Sequence, residues 1–165
     1  MTRRLLAVKC AVVLAAATAL AQQPSVHVKP SDVQGSRPVE KTTETGVVRD
    51  YLQSWKTMND ALGTNNPALL EAQFVGTAHD KLAETIAQQA KLGIQTRYQD
   101  RSHDLQIIFY SPEGLSIQLV DTVQYDEQVL EKGKVLTTRP ITQRYLVVLT
   151  PSEVRWRVRI FQPQS

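Results

Sequence analysis

The stretch LSIQLVDTVQY, residues 115–125, decides the fold. Leu115, Ile117, Leu119, Val123 and Tyr125 fall on one side of it, and Ser116, Gln118, Thr122 and Gln124 on the other. Such period-two alternation marks a strand with one face in a core and one toward solvent. Two residues break the rule: Val120 lies on the polar side, and Asp121 is a carboxylate on the apolar side.

The same period continues outward. Ile94–Asp100 and Leu105–Tyr110 read as two extended segments, with Arg101-Ser102-His103-Asp104 as a turn or bulge between them. Strand three runs from Leu115 to about Gln128. Glu131-Lys132-Gly133-Lys134 reads as a charged hairpin turn, Ile141–Thr150 as a fourth strand and Val154–Phe161 as the last. In that last strand Val154, Trp156, Val158 and Ile160 alternate with Arg155, Arg157 and Arg159. Pro140 cannot donate to a ladder, so it is expected at a strand start or a bulge.

Upstream of Gly93 the pattern turns helical. Val48, Leu52, Trp55 and Leu62 form one apolar stripe, with Tyr51 and Met58 beside it. Asn66-Pro67 suits the start of a short second helix over 68–72. Thr77 with Asp80 resembles a capping box opening a third helix, and Gly93 is the expected glycine beyond its end. Helices followed by antiparallel strands give an α+β domain, with the helices packed in the concave face of a curved sheet.

Residues 1–21 read as an export signal: Arg3 and Arg4 precede an apolar run of 12 residues, Cys10–Ala21. That run is shorter than the roughly 20 residues a membrane span needs. Small residues at Ala19 and Ala21 before Gln22 suit cleavage after Ala21. The expectation is therefore an exported, periplasmic or secreted protein; an uncleaved N-terminal anchor is the alternative. Thr2-Arg3-Arg4 partly resembles a twin-arginine signal, and the general secretory route is preferred. Lys9 before Cys10 argues against lipidation. Cys10 is the only cysteine, so the cleaved chain has no disulfide or thiol chemistry. Residues 22–42, with Pro24, Pro30, Gly35 and Pro38, read as a flexible linker, and 43–165 as a single domain.

The formal charge of +3 shifts with this reading. Removing Arg3, Arg4 and Lys9 leaves 16 basic residues against 16 acidic. The net basicity belongs to the signal, so nothing global calls for a nucleic acid, and no membrane span is expected after cleavage. What remains is local: Arg144, Arg155, Arg157 and Arg159 as a candidate anionic-partner patch. Aromatic residues do not interleave with it as base stacking requires.

Asp121 is the sharpest candidate for chemistry. Burial would favour its neutral form, and Tyr125 shares its face, as Tyr145 with Gln143 does one strand on. A carboxylate with tyrosine donors suits proton transfer in a lyase or isomerase. His79-Asp80 and His103-Asp104 are sequence neighbours, whose side chains diverge, so neither is read as a dyad. His27 has no second ligand at suitable spacing, and no metal site or cofactor is expected. Phosphate loops and serine elbows are missing from the sequence.

The helix Val48–Lys56, the helical Leu82–Gly93, the strand Ser116–Tyr125 and the hairpin from Arg144–Leu149 to Trp156–Val158 together resemble the cystatin-like cone of the nuclear-transport-factor-2-like superfamily. A narrower resemblance, over residues 46–161, is to the intermembrane-space domain of plastid and cyanobacterial division proteins. The superfamily includes enzymes, carriers and interaction domains; the narrower resemblance implies protein docking with no catalytic residues to carry over. The combined expectation is a non-enzymatic binding domain that uses its cone or outer sheet face. A small lyase or isomerase is the alternative, and pairing of two copies through the sheet a further expectation.

Overall fold

The computed structural model describes residues 23–33 and 37–165. The expected signal, with Cys10, Ala19, Ala21 and Gln22, lies outside the described residues. The elements run β1 (Ser25–Val28), α1 (Lys41–Thr64), a 3-10 helix (Pro67–Ala72), α2 (Gly76–Lys91), β2 (Ile94–Tyr110), β3 (Ile117–Glu131), β4 (Lys134–Pro151) and β5 (Trp156–Gln164). The strands make one curved, unclosed sheet in the order β1-β2-β3-β4-β5. β1 is parallel to β2, and the other pairs are antiparallel. The helices pack in its concave face, as the pattern of helices followed by strands predicts.

α1 buries Val47, Tyr51, Trp55, Met58 and Leu62, one stripe at helical spacing. Val48 and Leu52 sit at its margin. Against it stand Leu105, Ile107, Ile117, Leu119, Val123, Val147, Leu149 and Val158 from four strands. Burying each such side chain contributes about 1.5–3 kcal/mol. The deciding strand obeys its parity: Ile117, Leu119, Asp121, Val123 and Tyr125 all face inward. The chain turns between β3 and β4 through Lys132 and Gly133, both at positive φ, the geometry of a two-residue hairpin.

Several local expectations are corrected. β2 is one strand of 17 residues rather than two. Its register shifts between Asp100 and Ser102, so Arg101 is accommodated as a bulge and pairing continues. The short second helix is 3-10, with the Asn66 side chain accepting from Ala68 N–H at 3.2 Å. α2 starts from Val75 with no side-chain cap, so the Thr77–Asp80 box is not made. β4 starts at Lys134 because a two-residue turn lets pairing resume at once. Pro140 therefore falls inside β4, where β5 does not reach; there β4 is an edge that needs no donor.

The stretch read as a flexible linker contains β1, and its chain stays on the β2 edge. Lys29 N–H donates to the Leu105 carbonyl, Asp32 N–H to Ile107 and Arg37 N–H to Tyr110. The Arg37 guanidinium lies over the Tyr110 ring at 5.2 Å. Composition missed this because the anchoring is made by backbone groups, which every sequence has. Among the described residues no helix is long and apolar enough to cross a membrane.

Candidate functional site

Trp55, midway along α1, touches five rings: His103, Tyr98, Tyr125, Tyr145 and Phe161, with centroids 5.1–6.0 Å away. Two polar regions meet around it.

The first is a sealed cluster. Asp121 Oδ2 accepts from Tyr51 Oη at 2.8 Å and pairs with His103 Nδ1 at 2.7 Å. The side chains of His103 and Asp121 are 1% and 0% exposed, and Tyr51 is equally buried. Burial, then the adjacent Asp121 carboxylate, raises the Tyr51 pKa well above the ordinary phenol value. Asp121 Oδ1 is buried without a partner among the described residues. At the bulge, Asp100 Oδ1 accepts from Trp55 Nε1 at 2.9 Å. Burial raises the Asp100 pKa, and the Trp55 hydrogen bond opposes that.

The second region is open. α2 turns Ala78, Lys81, Leu82 and Thr85, at positions i, i+3, i+4 and i+7, along one side of a cleft, the spacing that keeps side chains on one helix face. Met58 and Leu62 of α1 join them, and Tyr98, Tyr145, Phe161 and Pro163 of the sheet complete the cleft, whose volume is about 260 Å³. One aromatic comes from each of four adjacent strands: Tyr98, Tyr125, Tyr145 and Phe161. Tyr98 and Tyr125 lie 4.5 Å apart, and Tyr145 stacks on Phe161 at 4.4 Å. Burial raises the pKa of Tyr98, Tyr125 and Tyr145, so all three stay protonated phenols at neutral pH.

Of the residues singled out from sequence, Asp121, Tyr125 and Tyr145 converge on Trp55's surroundings. Asp121 and Tyr145 are direct cross-strand partners, and the Tyr125 and Tyr145 hydroxyls are 3.4 Å apart. The arginines do not converge. The register shift between Val148 and Leu149 lets Arg159 be inserted on β5, which turns Phe161 inward and leaves Ile160 38% exposed. The Arg157 guanidinium donates to the Glu71 and Phe74 carbonyls and so ties β5 to the end of the 3-10 helix. Arg144 pairs with Gln164, at the far end of β5 from Arg155, roughly 30 Å along an extended strand.

The largest correction concerns His103. Read as part of a turn, it lies within β2 and points into the core. Its parity with Leu105 and Ile107 carried that signal; the polar run Arg101–Asp104 masked it. His79 stays in exposed contact with Asp80 at 3.3 Å. Tyr51, Trp55, Tyr98 and Phe161 were not legible as site residues, because aromatics at core spacing look like packing, and Lys81 was not, because a lysine on a helix looks like a solvated surface residue.

No family model matches the chain, and no curated protein is similar enough to match. Among the solved structures similar in fold are two that cover most of the chain. The intermembrane-space region of the chloroplast protein ARC6 aligns over 78% of this chain and 99% of its own, at 15% identity and a TM-score of 0.61. A protein assigned as a scytalone dehydratase, from Novosphingobium aromaticivorans, aligns over 76% of this chain and 89% of its own, at 14% identity and a TM-score of 0.50. The likeness is one of fold: the architecture resembles the nuclear-transport-factor-2-like cone.

Proposed function

We propose that this chain is an exported binding domain that holds a small apolar molecule in the cleft between α2 and the concave sheet, without transforming it. The observation that carries the reading is the separation of its two polar regions. The groups suited to proton transfer, Tyr51, His103 and Asp121, are bonded to one another and sealed. The open cleft is lined by apolar and aromatic side chains with few polar groups, the usual make-up of a ligand site. A general base must come within hydrogen-bond reach of the proton it takes, and Asp121 is walled off from solvent.

The alternative, a lyase or isomerase, draws on one observation: Asp121 Oδ1 is buried without a partner among the described residues. It requires a substrate that reaches this oxygen past Trp55 and Tyr145.

The test is binding of a neutral apolar dye, followed by fluorescence, in the natural protein and in Thr85→Trp, which fills the cleft from its exposed rim. Saturable one-to-one binding lost in Thr85→Trp is expected. Equal binding in both proteins places the dye elsewhere and rejects the reading. Export is tested separately: N-terminal sequencing of protein recovered from its producing cell is expected to begin at Gln22.

A further inference from the structure

Resting on this reading of the cleft, we propose that its occupant is a small amphipathic monocarboxylate, with its apolar body on the aromatic floor and its carboxylate held by Lys81 and tyrosine hydroxyls.

The argument starts from the polar inventory. The cleft's lining contains Lys81, Thr85, Tyr98 and Tyr145 and no carboxylate. Lys81 is solvent-exposed and has no ion-pair partner among the described residues. The Thr85 hydroxyl is already donated to the Lys81 carbonyl at 2.9 Å. The Tyr98 side chain makes no hydrogen bond among the described residues; only its backbone N–H and carbonyl bond, to Asn59. The Tyr125 and Tyr145 hydroxyls share at most one hydrogen bond, so one of their two protons is left to donate.

The free polar groups are therefore one ammonium and phenolic O–H donors. Such a set is satisfied by a ligand that only accepts, and a carboxylate is the small organic group of that kind. Asp80 and Glu84, one and three residues from Lys81 on α2, are engaged elsewhere, Asp80 with His79 at 3.3 Å and Glu84 as acceptor from Gln88 at 3.2 Å. Glu127, the cross-strand neighbour of Tyr98, pairs with Arg139 at 2.7 Å, so no acid among the described residues pairs with Lys81. A single free cation matches a single negative charge. Size sets the rest: about 260 Å³ lies just below the roughly 300–1,000 Å³ of drug-sized sites. The apolar walls of Met58, Leu62, Leu82, Phe161 and Pro163 suit a short alkyl or aromatic body.

The experiment is calorimetric titration of the full domain with octanoate, octanol and octylammonium, which share one body and differ in head group. Octanoate is expected to bind about tenfold more tightly than octanol, close to one charge-assisted hydrogen bond at a partly exposed rim. Octylammonium is expected to bind most weakly. Lys81→Gln is expected to close the gap between octanoate and octanol, and Lys81→Arg to keep it. Octanoate and octanol binding alike in the natural protein would overturn the head-group assignment and leave the apolar cleft standing. Binding of none of the three would overturn both. A preference for octanoate that survives Lys81→Gln would also reject the assignment, since the carboxylate is then held elsewhere.

Discussion

Around Trp55 the concave face carries a closed polar region and an open one. In the closed region Tyr51 and His103 converge on a single carboxylate oxygen, and every partner lies in the core. In the open region an ammonium and phenols meet at a cleft with more donors than the chain's own acceptors take up. Both use tyrosine hydroxyls, and both lie against the same indole. They differ in whether the protein itself supplies the acceptor. Where it does, the polar groups hold α1 to β2 and β3. Where it does not, they are free for something the chain does not contain.

Mutations that remove stability should therefore cluster in the closed region. Asp121→Ala leaves His103 and Tyr51 buried without their acceptor and is expected to cost about 3–5 kcal/mol in urea unfolding. A loss under about 1 kcal/mol would erase the distinction between the regions. Tyr51→Phe removes one of the two donors and is expected to cost about 1–2 kcal/mol by the same measurement.

Asp100 gives a pH signature. Its pKa is raised by burial, so the folded chain holds this proton more tightly than the unfolded one. Its stabilising contribution is fully present below the ordinary carboxylate value of 3.8 and is lost as pH rises through the folded value. Asp100→Asn keeps an acceptor for Trp55 and removes the titration. Thermal melts should then show a higher Tm near neutral pH and a flatter decline on leaving the acid range. An unchanged pH profile would mean the Asp100 carboxyl is not held at a raised pKa.

The smallest effects on stability are expected in the open region. Lys81→Gln and Tyr98→Phe should each leave unfolding free energy within about 0.5 kcal/mol of the natural protein. A larger loss in either would show that the cleft donors serve the fold.

Much of the architecture was legible in order. β3 kept its parity from Ile117 to Tyr125, because one face of it is core and a one-residue slip would bury its polar side; Leu115, expected on the same face, precedes the strand and is 64% exposed. The hairpin at Lys132-Gly133 was legible because positive φ selects glycine. The β1 strand was not, because its pairing rests on backbone groups. The β5 bulge was not, and with it went the arginine comb, since one inserted residue reverses every side chain beyond it. The candidate site was half legible. Asp121 stood out as a charge among apolar neighbours, and Tyr125 and Tyr145 shared its parity. His103 was hidden by the polar residues beside it.

By itself the sequence determined which residues alternate, where the period changes from helix to strand, and that a carboxylate enters the core. These follow from local spacing and solvent preference, which each segment carries alone. Only the tertiary structure decided that His103 and Tyr51 supply that carboxylate's hydrogen bonds. It alone placed Tyr98, Tyr145 and Phe161, from three strands, in one cleft with Lys81. Those meetings depend on register between segments from 17 to 80 residues apart. Register is set by how all the buried faces fit together, and no single segment encodes it.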